Sequence, residues 1–158
     1  MKRTIAVLLM VAVLLAIMPA AAFAASKTQV YRVNTKTDPL MVHSQPNDQK
    51  STRVGRLPRN AAVIVLKKSG SWWQIKSSRR LIGWVFAKYL APGAYARVTT
   101  KTDPLVIRKS ASSKSTKLGS APKGSTVTVK YVSGNWANIT YQSTTGWSSR
   151  TYLTWIAG

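Results

Sequence analysis

The sequence lacks the residue types on which several common enzyme chemistries depend. Its 158 residues include no cysteine and one histidine, and 24 lysines and arginines stand against 3 acidic residues. Without cysteine there is no disulfide framework, thiolate metal site or cysteine nucleophile. One histidine excludes multi-histidine metal centres, and three aspartates leave little for paired-carboxylate catalysis. We therefore predict a protein that is not an enzyme and has no catalytic residues, no metal ligands and no cofactor.

The charge balance predicts a partner of the opposite sign. The formal net charge is +21 at pH 7. Charge of one sign attracts polyanions, here nucleic acid, anionic lipid or an anionic cell-wall polymer. The compartment of the protein decides among these three classes.

The first 25 residues are typical of a secretory signal peptide. Lys2 and Arg3 precede an apolar run at 5–18, and Ala-Phe-Ala-Ala at 22–25 offers an A-x-A cleavage site. The alternative is an uncleaved anchor, but the run is shorter than the roughly 20 residues that span a bilayer. We expect cleavage, a secreted, extracellular and cell-wall-associated protein without a membrane span, and no physiological nucleic acid partner.

An internal repeat fills the rest of the chain. The hexapeptide Thr-Lys-Thr-Asp-Pro-Leu occurs at 35–40 and again at 100–105. Further matches follow in the same order, namely Gly55 with Gly119, Pro58 with Pro122, Trp72 with Trp136, Gly83-Trp84 with Gly146-Trp147 and Tyr89-Leu90 with Tyr152-Leu153. The repeat predicts one domain at 30–91, a linker at 92–95 and a second domain at 96–156.

Each copy has the pattern of short strands separated by turns. Residues 63–66 and 127–131 are rich in β-branched residues, and 73–76 and 137–141 alternate with period two. Past residue 25 no segment has helical periodicity. We predict an all-β fold of two tandem small β-barrels, because closure of each sheet removes its exposed edges. The short linker makes them close neighbours.

The ordered motifs of each copy resemble the bacterial SH3-like domains. The family's Leu-x-Val-Arg segment is matched by Leu-Val-Ile-Arg at 105–108 and by Leu-Met-Val-His at 40–43. Its Gly-x-x-Val-x-Val stretch is matched at 124–129, while the first copy has Asn60 in place of the glycine, a residue that also tolerates positive φ. Gly-x-Trp, Gly-Trp and Tyr-Leu follow in both copies. The resemblance implies tandem SH3-like β-barrels in an exported module that binds peptidoglycan or another wall component.

The candidate ligand-binding residues are aromatic or occupy equivalent positions in the repeat. They are Trp72, Trp136, Tyr89, Tyr152, Arg108 and His43. The two tryptophans either line a groove or pack under a loop or between the barrels, and both interpretations stay open. His43 takes the place of Arg108, so we expect a polar surface residue, whereas Trp84 and Trp147 have the positions of structural residues.

Because acidic residues are so few, most basic residues cannot form ion pairs within the protein, and ten of them are candidates for contact with a polyanion. They are Arg53, Arg56, Arg59, Lys67, Lys68, Arg79, Arg80, Lys109, Lys114 and Lys117. The alternative is a generally cationic surface that keeps the protein soluble. In a Gram-positive wall the abundant polyanion is phosphate-bearing teichoic acid, and arginine can contact such phosphates through two N–H groups.

Together these features predict a non-catalytic cell-wall-binding protein. Its partners are peptidoglycan, an anionic wall polymer, or both. Two alternatives remain, a regulator that docks onto an exported protein such as a wall hydrolase, and a secreted cationic agent that binds polyanions. No amphipathic cationic helix is visible, which speaks against membrane lysis.

Overall fold

The computed structural model describes residues 26–37, 39–47, 49 and 52–157, and the predicted signal peptide at 1–25 lies outside them. The described residues form fourteen strands and two 3-10 turns, which confirms the all-β prediction. The strands are β1 (Thr28–Val33), β2 (Leu40–His43), β3 (Arg53–Leu57), β4 (Ala62–Ser69), β5 (Trp72–Ser77), β6 (Ile82–Phe86), β7 (Leu90–Pro92), β8 (Ala94–Val98), β9 (Leu105–Arg108), β10 (Lys117–Ala121), β11 (Thr126–Ser133), β12 (Trp136–Tyr141), β13 (Thr144–Ser149) and β14 (Leu153–Trp155). The turns are Ala87–Tyr89 and Arg150–Tyr152. No helix in this described part is long and apolar enough to cross a membrane.

The strands form two antiparallel barrels with the same pairing. In barrel 1 (β1 to β7), β1 pairs with β4 and β7, β2 with β3 and β6, and β5 with β4 and β6. In barrel 2 (β8 to β14), β8 pairs with β11 and β14, β9 with β10 and β13, and β12 with β11 and β13. The internal repeat of the sequence therefore corresponds to a repeat of the structure.

Period-two alternation directs side chains into each barrel or away from it. In β2, Leu40 and Val42 are buried on one face, while on the other face Met41 is half-buried and His43 is buried. In β9, Leu105 and Ile107 are buried while Val106 and Arg108 are half-buried. Since successive side chains point to opposite faces of a strand, one face of each strand fills the core and the other is available to a surface groove.

The Gly-Trp pairs close each barrel. A Cβ on Gly83 would lie 2.8 Å from the His43 carbonyl oxygen, and one on Gly146 would lie 2.5 Å from the Arg108 carbonyl oxygen. Both positions therefore need glycine so that β6 approaches β2 and β13 approaches β9. The indoles of Trp84 and Trp147 are buried, which fits their expected structural role.

Strand β1 belongs to both barrels. Its first residues pair with β11 of barrel 2, Thr28 opposite Val132 and Gln29 opposite Tyr131. The rest of β1 pairs with β4 and β7 of barrel 1. The fourteen strands thus join into one continuous sheet, and the barrels are held in a fixed arrangement.

Residues 92–95, which the sequence predicts as a linker, mostly belong to strands. Only Gly93 lies between β7 and β8, at φ +75°, and its N–H donates to the Val30 carbonyl oxygen at 2.8 Å. Arg32 donates to the carbonyl oxygens of Pro92 (2.8 Å) and Gly93 (3.1 Å). These bonds tie the connection to β1, so it does not act as a free tether.

The hydrophobic cores also meet. One core cluster lies within barrel 1 around Val42, Ile75 and Val85. The other fills barrel 2 and extends to Val30 and Ala62 of barrel 1, with half-buried Ile64, Val132 and Trp155 packed against it. Apolar burial therefore reinforces the backbone pairing between the barrels.

Candidate functional site

A groove on barrel 1, here called groove 1, has a volume of about 870 Å³. It lies between the segment that leaves β1, the outer face of β2, and the ends of β5 and β6 near the first 3-10 turn. Its lining residues are Asn34, Thr35, Lys36, Thr37, Pro39, Leu40, Met41, His43, Trp72, Phe86, Lys88 and Tyr89. Three of the six predicted ligand residues, His43, Trp72 and Tyr89, therefore lie in one groove.

Barrel 2 carries the equivalent groove 2, with a volume of about 530 Å³. Its lining residues are Thr100, Lys101, Thr102, Asp103, Pro104, Leu105, Val106, Arg108, Ser113, Trp136, Ser149 and Tyr152. The other three predicted ligand residues, Arg108, Trp136 and Tyr152, lie here. The repeat thus places two copies of one surface feature on the molecule, one on each barrel.

Strand ends and turns position the aromatic residues of the grooves. Trp72 and Trp136 are the first residues of β5 and β12, and both are half-buried. Tyr89 and Tyr152 end the 3-10 turns, and their carbonyl oxygens accept hydrogen bonds from the N–H groups of Asn34 (2.8 Å) and Thr99 (2.9 Å). Each tyrosine is therefore fixed to the backbone segment on the other side of its groove.

Groove 1 contains a continuous series of rings. Trp72 packs edge to face against His43 and against Phe86, each with centroids 5.2 Å apart, and Phe86 lies 6.5 Å from Tyr89. The ammonium group of Lys88 lies 4.9 Å from the centroids of both Phe86 and Tyr89. Groove 1 therefore offers several ring faces together with a cation, a combination that suits a ligand with flat apolar and anionic parts.

The expectation that His43 is a surface residue is wrong. Only 8% of its surface is exposed, and its ring packs against Trp72. The imidazole is short enough to lie under the indole, whereas the longer Arg108 at the equivalent position is half-buried.

Groove 2 is less aromatic than groove 1, and charged residues of both signs line it. Ser149 occupies the position of Phe86, and Arg108 occupies the position of His43. The Arg108 guanidinium donates from Nη1 to the Ser115 carbonyl oxygen at 2.8 Å, which holds it beside the groove. Lys101 and Asp103 also line this groove. The two grooves therefore occupy equivalent positions in their barrels but differ in the chemistry of their lining residues.

Several groove residues were not predicted individually from the sequence. Lys36 and Lys101 line equivalent positions, and so do the buried threonines Thr35 and Thr100. All four belong to the hexapeptide that is repeated without change, and this repetition is the sequence feature from which they could have been predicted. Phe86 had no such signal, because its counterpart in the second copy is a serine.

Comparison with known proteins assigns the chain to a family. Residues 38–91 and 103–154 each match the family described as the bacterial SH3 domain. The chain belongs to this bacterial SH3 domain family. The expected resemblance is thereby confirmed, with one match in each barrel.

Individual relatives are longer than this SH3 protein. YrvJ of Bacillus subtilis (strain 168), named as a candidate N-acetylmuramoyl-L-alanine amidase, is 31% identical over 127 residues, which are 75% of this chain and 24% of that protein. Among solved structures, NlpC2 from Trichomonas vaginalis gives a TM-score of 0.44 at 16% identity, with 83% of this chain and 49% of that chain covered. NlpC1 from the same organism gives 0.42 at 16% identity, with 87% and 51% covered.

The ten predicted polyanion contacts of the SH3 protein are all exposed and lie outside both grooves. They are distributed over β3, β4, β10, the β5–β6 turn and neighbouring loops. Arg80 alone among the ten lines a third depression between the SH3 barrels, the central cleft, of about 310 Å³. Among the described residues, no group of three or more His, Asp or Glu is placed to hold a metal ion.

The central cleft brings together cations from both SH3 barrels. Lys76 and Arg80 come from barrel 1 and Arg150 from barrel 2. Its walls include the interface residues Val30, Ile64, Val132 and Trp155. Asp103, the acidic residue within the described ranges, lines groove 2 instead. The cleft exists only in the tandem arrangement.

Proposed function

We propose that this SH3 protein is an exported, non-catalytic cell-wall-binding protein. Grooves 1 and 2 bind peptidoglycan, and the basic surface binds an anionic wall polymer. The signal-like segment at 1–25 supports export, and the absence of cysteine and the single histidine support a role without catalysis.

The observation that carries the proposal is the recurrence of one groove on both barrels. Each groove has a half-buried tryptophan, a tyrosine fixed to the opposite backbone segment, and at least one cation. Rings and cations together suit a polymer of acylated sugars and short peptides that carry carboxylates. Two grooves at a fixed separation also favour a repetitive polymer, because binding at one raises the effective concentration at the other.

The similarity to YrvJ supports the same target. N-acetylmuramoyl-L-alanine is the junction of glycan and peptide in peptidoglycan, and that relative is named for an activity on it. Because this chain spans about a quarter of that protein, we infer the same target polymer for this chain but not the same enzymatic activity.

The central cleft favours an anionic polymer as a second ligand. Two guanidinium groups and an ammonium group line it, and Arg can contact a phosphate through two N–H groups. Such binding weakens steeply with salt because it releases counterions. Groove binding through rings and hydrogen bonds has a weaker salt dependence.

Sedimentation with purified walls separates these contributions. Protein lacking residues 1–25 is mixed with walls before and after acid removal of teichoic acid, from about 50 to about 500 mM salt. We expect part of the binding to survive stripping and high salt. We also expect the double change Trp72→Ala and Trp136→Ala to weaken that surviving part by about tenfold.

Trp73→Ala is the matched control for loss of a tryptophan. Trp73 is the neighbour of Trp72 on β5, but it packs against Tyr31 and under Lys68, outside groove 1. If Trp73→Ala reduces wall binding as much as the double change while both proteins stay folded, the grooves are not the binding sites. Failure of the unchanged protein to sediment at moderate salt contradicts the whole proposal.

A further inference from the structure

Each groove contains a buried threonine hydroxyl that the fold does not use. Thr35 is 7% exposed and Thr100 is 8% exposed, and they line grooves 1 and 2 at equivalent positions. The Oγ1 atom of neither residue has a hydrogen-bond partner among the described residues. A buried hydroxyl without a partner costs free energy, so two at matching places call for a physical explanation.

In barrel 2 the second threonine of the repeated hexapeptide differs from the first. Thr102, two residues after Thr100, is exposed and donates to Oδ2 of Asp103 at 3.4 Å. Thr35 and Thr100 instead follow residues whose N–H groups bond to the carbonyl oxygens of Tyr89 and Tyr152. The backbone segment that carries each buried threonine is therefore hydrogen-bonded to the tyrosine of the same groove.

The burial of the hydroxyl favours an uncharged hydrogen-bond partner over a charged one. A charged group brought against one buried hydroxyl loses its hydration without an opposite charge to replace it. The lysines of the grooves, Lys36, Lys88 and Lys101, are solvent-exposed and suited to charges elsewhere on a ligand. A group that is uncharged, flat and able to form a hydrogen bond therefore suits both the threonine and the aromatic residues that line the same groove.

We propose that Thr35 and Thr100 each form a hydrogen bond to a secondary amide of the bound ligand. An amide is planar, so its face packs on an aromatic ring while its edge presents the carbonyl oxygen or the N–H. The threonine hydroxyl donates to the former or accepts from the latter. This inference rests on the proposed function, because it defines which part of the wall polymer enters each groove.

Peptidoglycan has two sources of such an amide, and the experiment separates them. One is the N-acetyl group of the glycan, and the other is a peptide bond of the stem. The probes are an oligomer of N-acetylglucosamine without peptide and a stem peptide without sugar. Each is titrated calorimetrically into protein lacking residues 1–25.

The variants are Thr35→Val and Thr100→Val, singly and together, with Thr→Ser at both positions. Valine keeps the shape and removes the hydroxyl. We expect each valine change to weaken its own groove about five- to tenfold for the probe that supplies the amide. Serine restores the hydroxyl and keeps affinity within about twofold. Because a hydroxyl without a partner is removed, Tm of the valine variants does not fall.

Thr99→Val is the matched control, an exposed neighbour with the same chemical change outside groove 2. It leaves affinity unchanged. The proposal is overturned if the double valine variant binds both probes as tightly as the unchanged protein. A lower Tm of the valine variants also overturns it, because the hydroxyl then has a partner in the free protein. If the unchanged protein binds neither probe, the peptidoglycan part of the proposed function fails and the amide site fails with it.

Discussion

At the scale of single residues, one backbone position is filled differently in the two copies. Asn60 has φ 66°, Gly124 has φ 82°, and the N–H groups of the two donate at 2.8 Å to the carbonyl oxygens of Val33 and Val98. The left-handed conformation is thus required in both barrels. Asparagine adopts it at lower cost than other side chains, as the sequence predicts.

Replacing this asparagine tests that requirement. Asn60→Ala is expected to lower the free energy of unfolding by about 1 kcal/mol, whereas Asn60→Gly leaves it unchanged or raises it. Gly124→Ala is the control for backbone cost alone, because a Cβ there meets no atom within 4 Å. Denaturant unfolding measures all three variants. Equal stability of Asn60→Ala and Asn60→Gly would show that the conformation imposes no cost.

At the scale of elements, strand β13 can approach β9 only because Gly146 has no side chain. A Cβ on Gly146 would lie 2.5 Å from a backbone oxygen and 2.7 Å from Ile107 Cγ2. A backbone oxygen, unlike a side chain, cannot move away by a change of rotamer. We therefore expect Gly146→Ala to destabilise barrel 2 by about 1–3 kcal/mol. Thermal and denaturant unfolding measure the loss.

Gly119→Ala, on the neighbouring strand β10, is the control in which the added Cβ causes a milder steric clash. Its Cβ would lie 3.3 Å from Thr144 Cγ2, a side-chain methyl that can move. We therefore expect a loss below about 1 kcal/mol. The steric account of the Gly-Trp motif is refuted if Gly119→Ala costs as much as Gly146→Ala.

The sequence predicts the strands that carry clear patterns. The segments expected at 63–66, 73–76, 127–131 and 137–141 lie within β4, β5, β11 and β12. Alternation also predicts the core face of β2 and β9 correctly. No pattern assigns strands β1 and β8, since their burial depends on partners far along the chain. The pairing of Thr28 with Val132 has no local signal at all, because it joins two separate repeats.

The candidate site was predictable where the two copies agree. Trp72, Trp136, Tyr89 and Tyr152 belong to repeated motifs, and the structure places them in equivalent grooves. The burial of His43 was not predictable, because it follows from the packing of Trp72 against its ring. That these residues bind a ligand stays a prediction, which the tryptophan variants test.

At the scale of the whole molecule, strand β1 and one core cluster join the two barrels into one unit. Arg32 adds to this by donating to the connection while its guanidinium lies 5.1 Å from the ring of Tyr95 in barrel 2. The separation of grooves 1 and 2 is therefore set by folding and not by linker length. A polymer that reaches both grooves gains affinity without an entropy cost for ordering a flexible tether.

The same arrangement creates the central cleft, whose charge is open to a direct test. Removal of its three cations by Lys76→Ala, Arg80→Ala and Arg150→Ala eliminates a cluster to which both barrels contribute. The probe is a poly(glycerol phosphate) chain, and the measured quantity is the slope of log K, the binding constant, against log salt concentration. Each phosphate that is no longer neutralised lowers the magnitude of this slope by roughly 0.7, so we expect the loss of three cations to lower it by about 2. The control removes three exposed cations outside the cleft, Arg53, Arg56 and Lys109. A smaller change in the control indicates that the polymer phosphates bind in the cleft. Equal changes in the two triple variants would mean that the charge of the whole surface, and not this cleft, attracts the polymer.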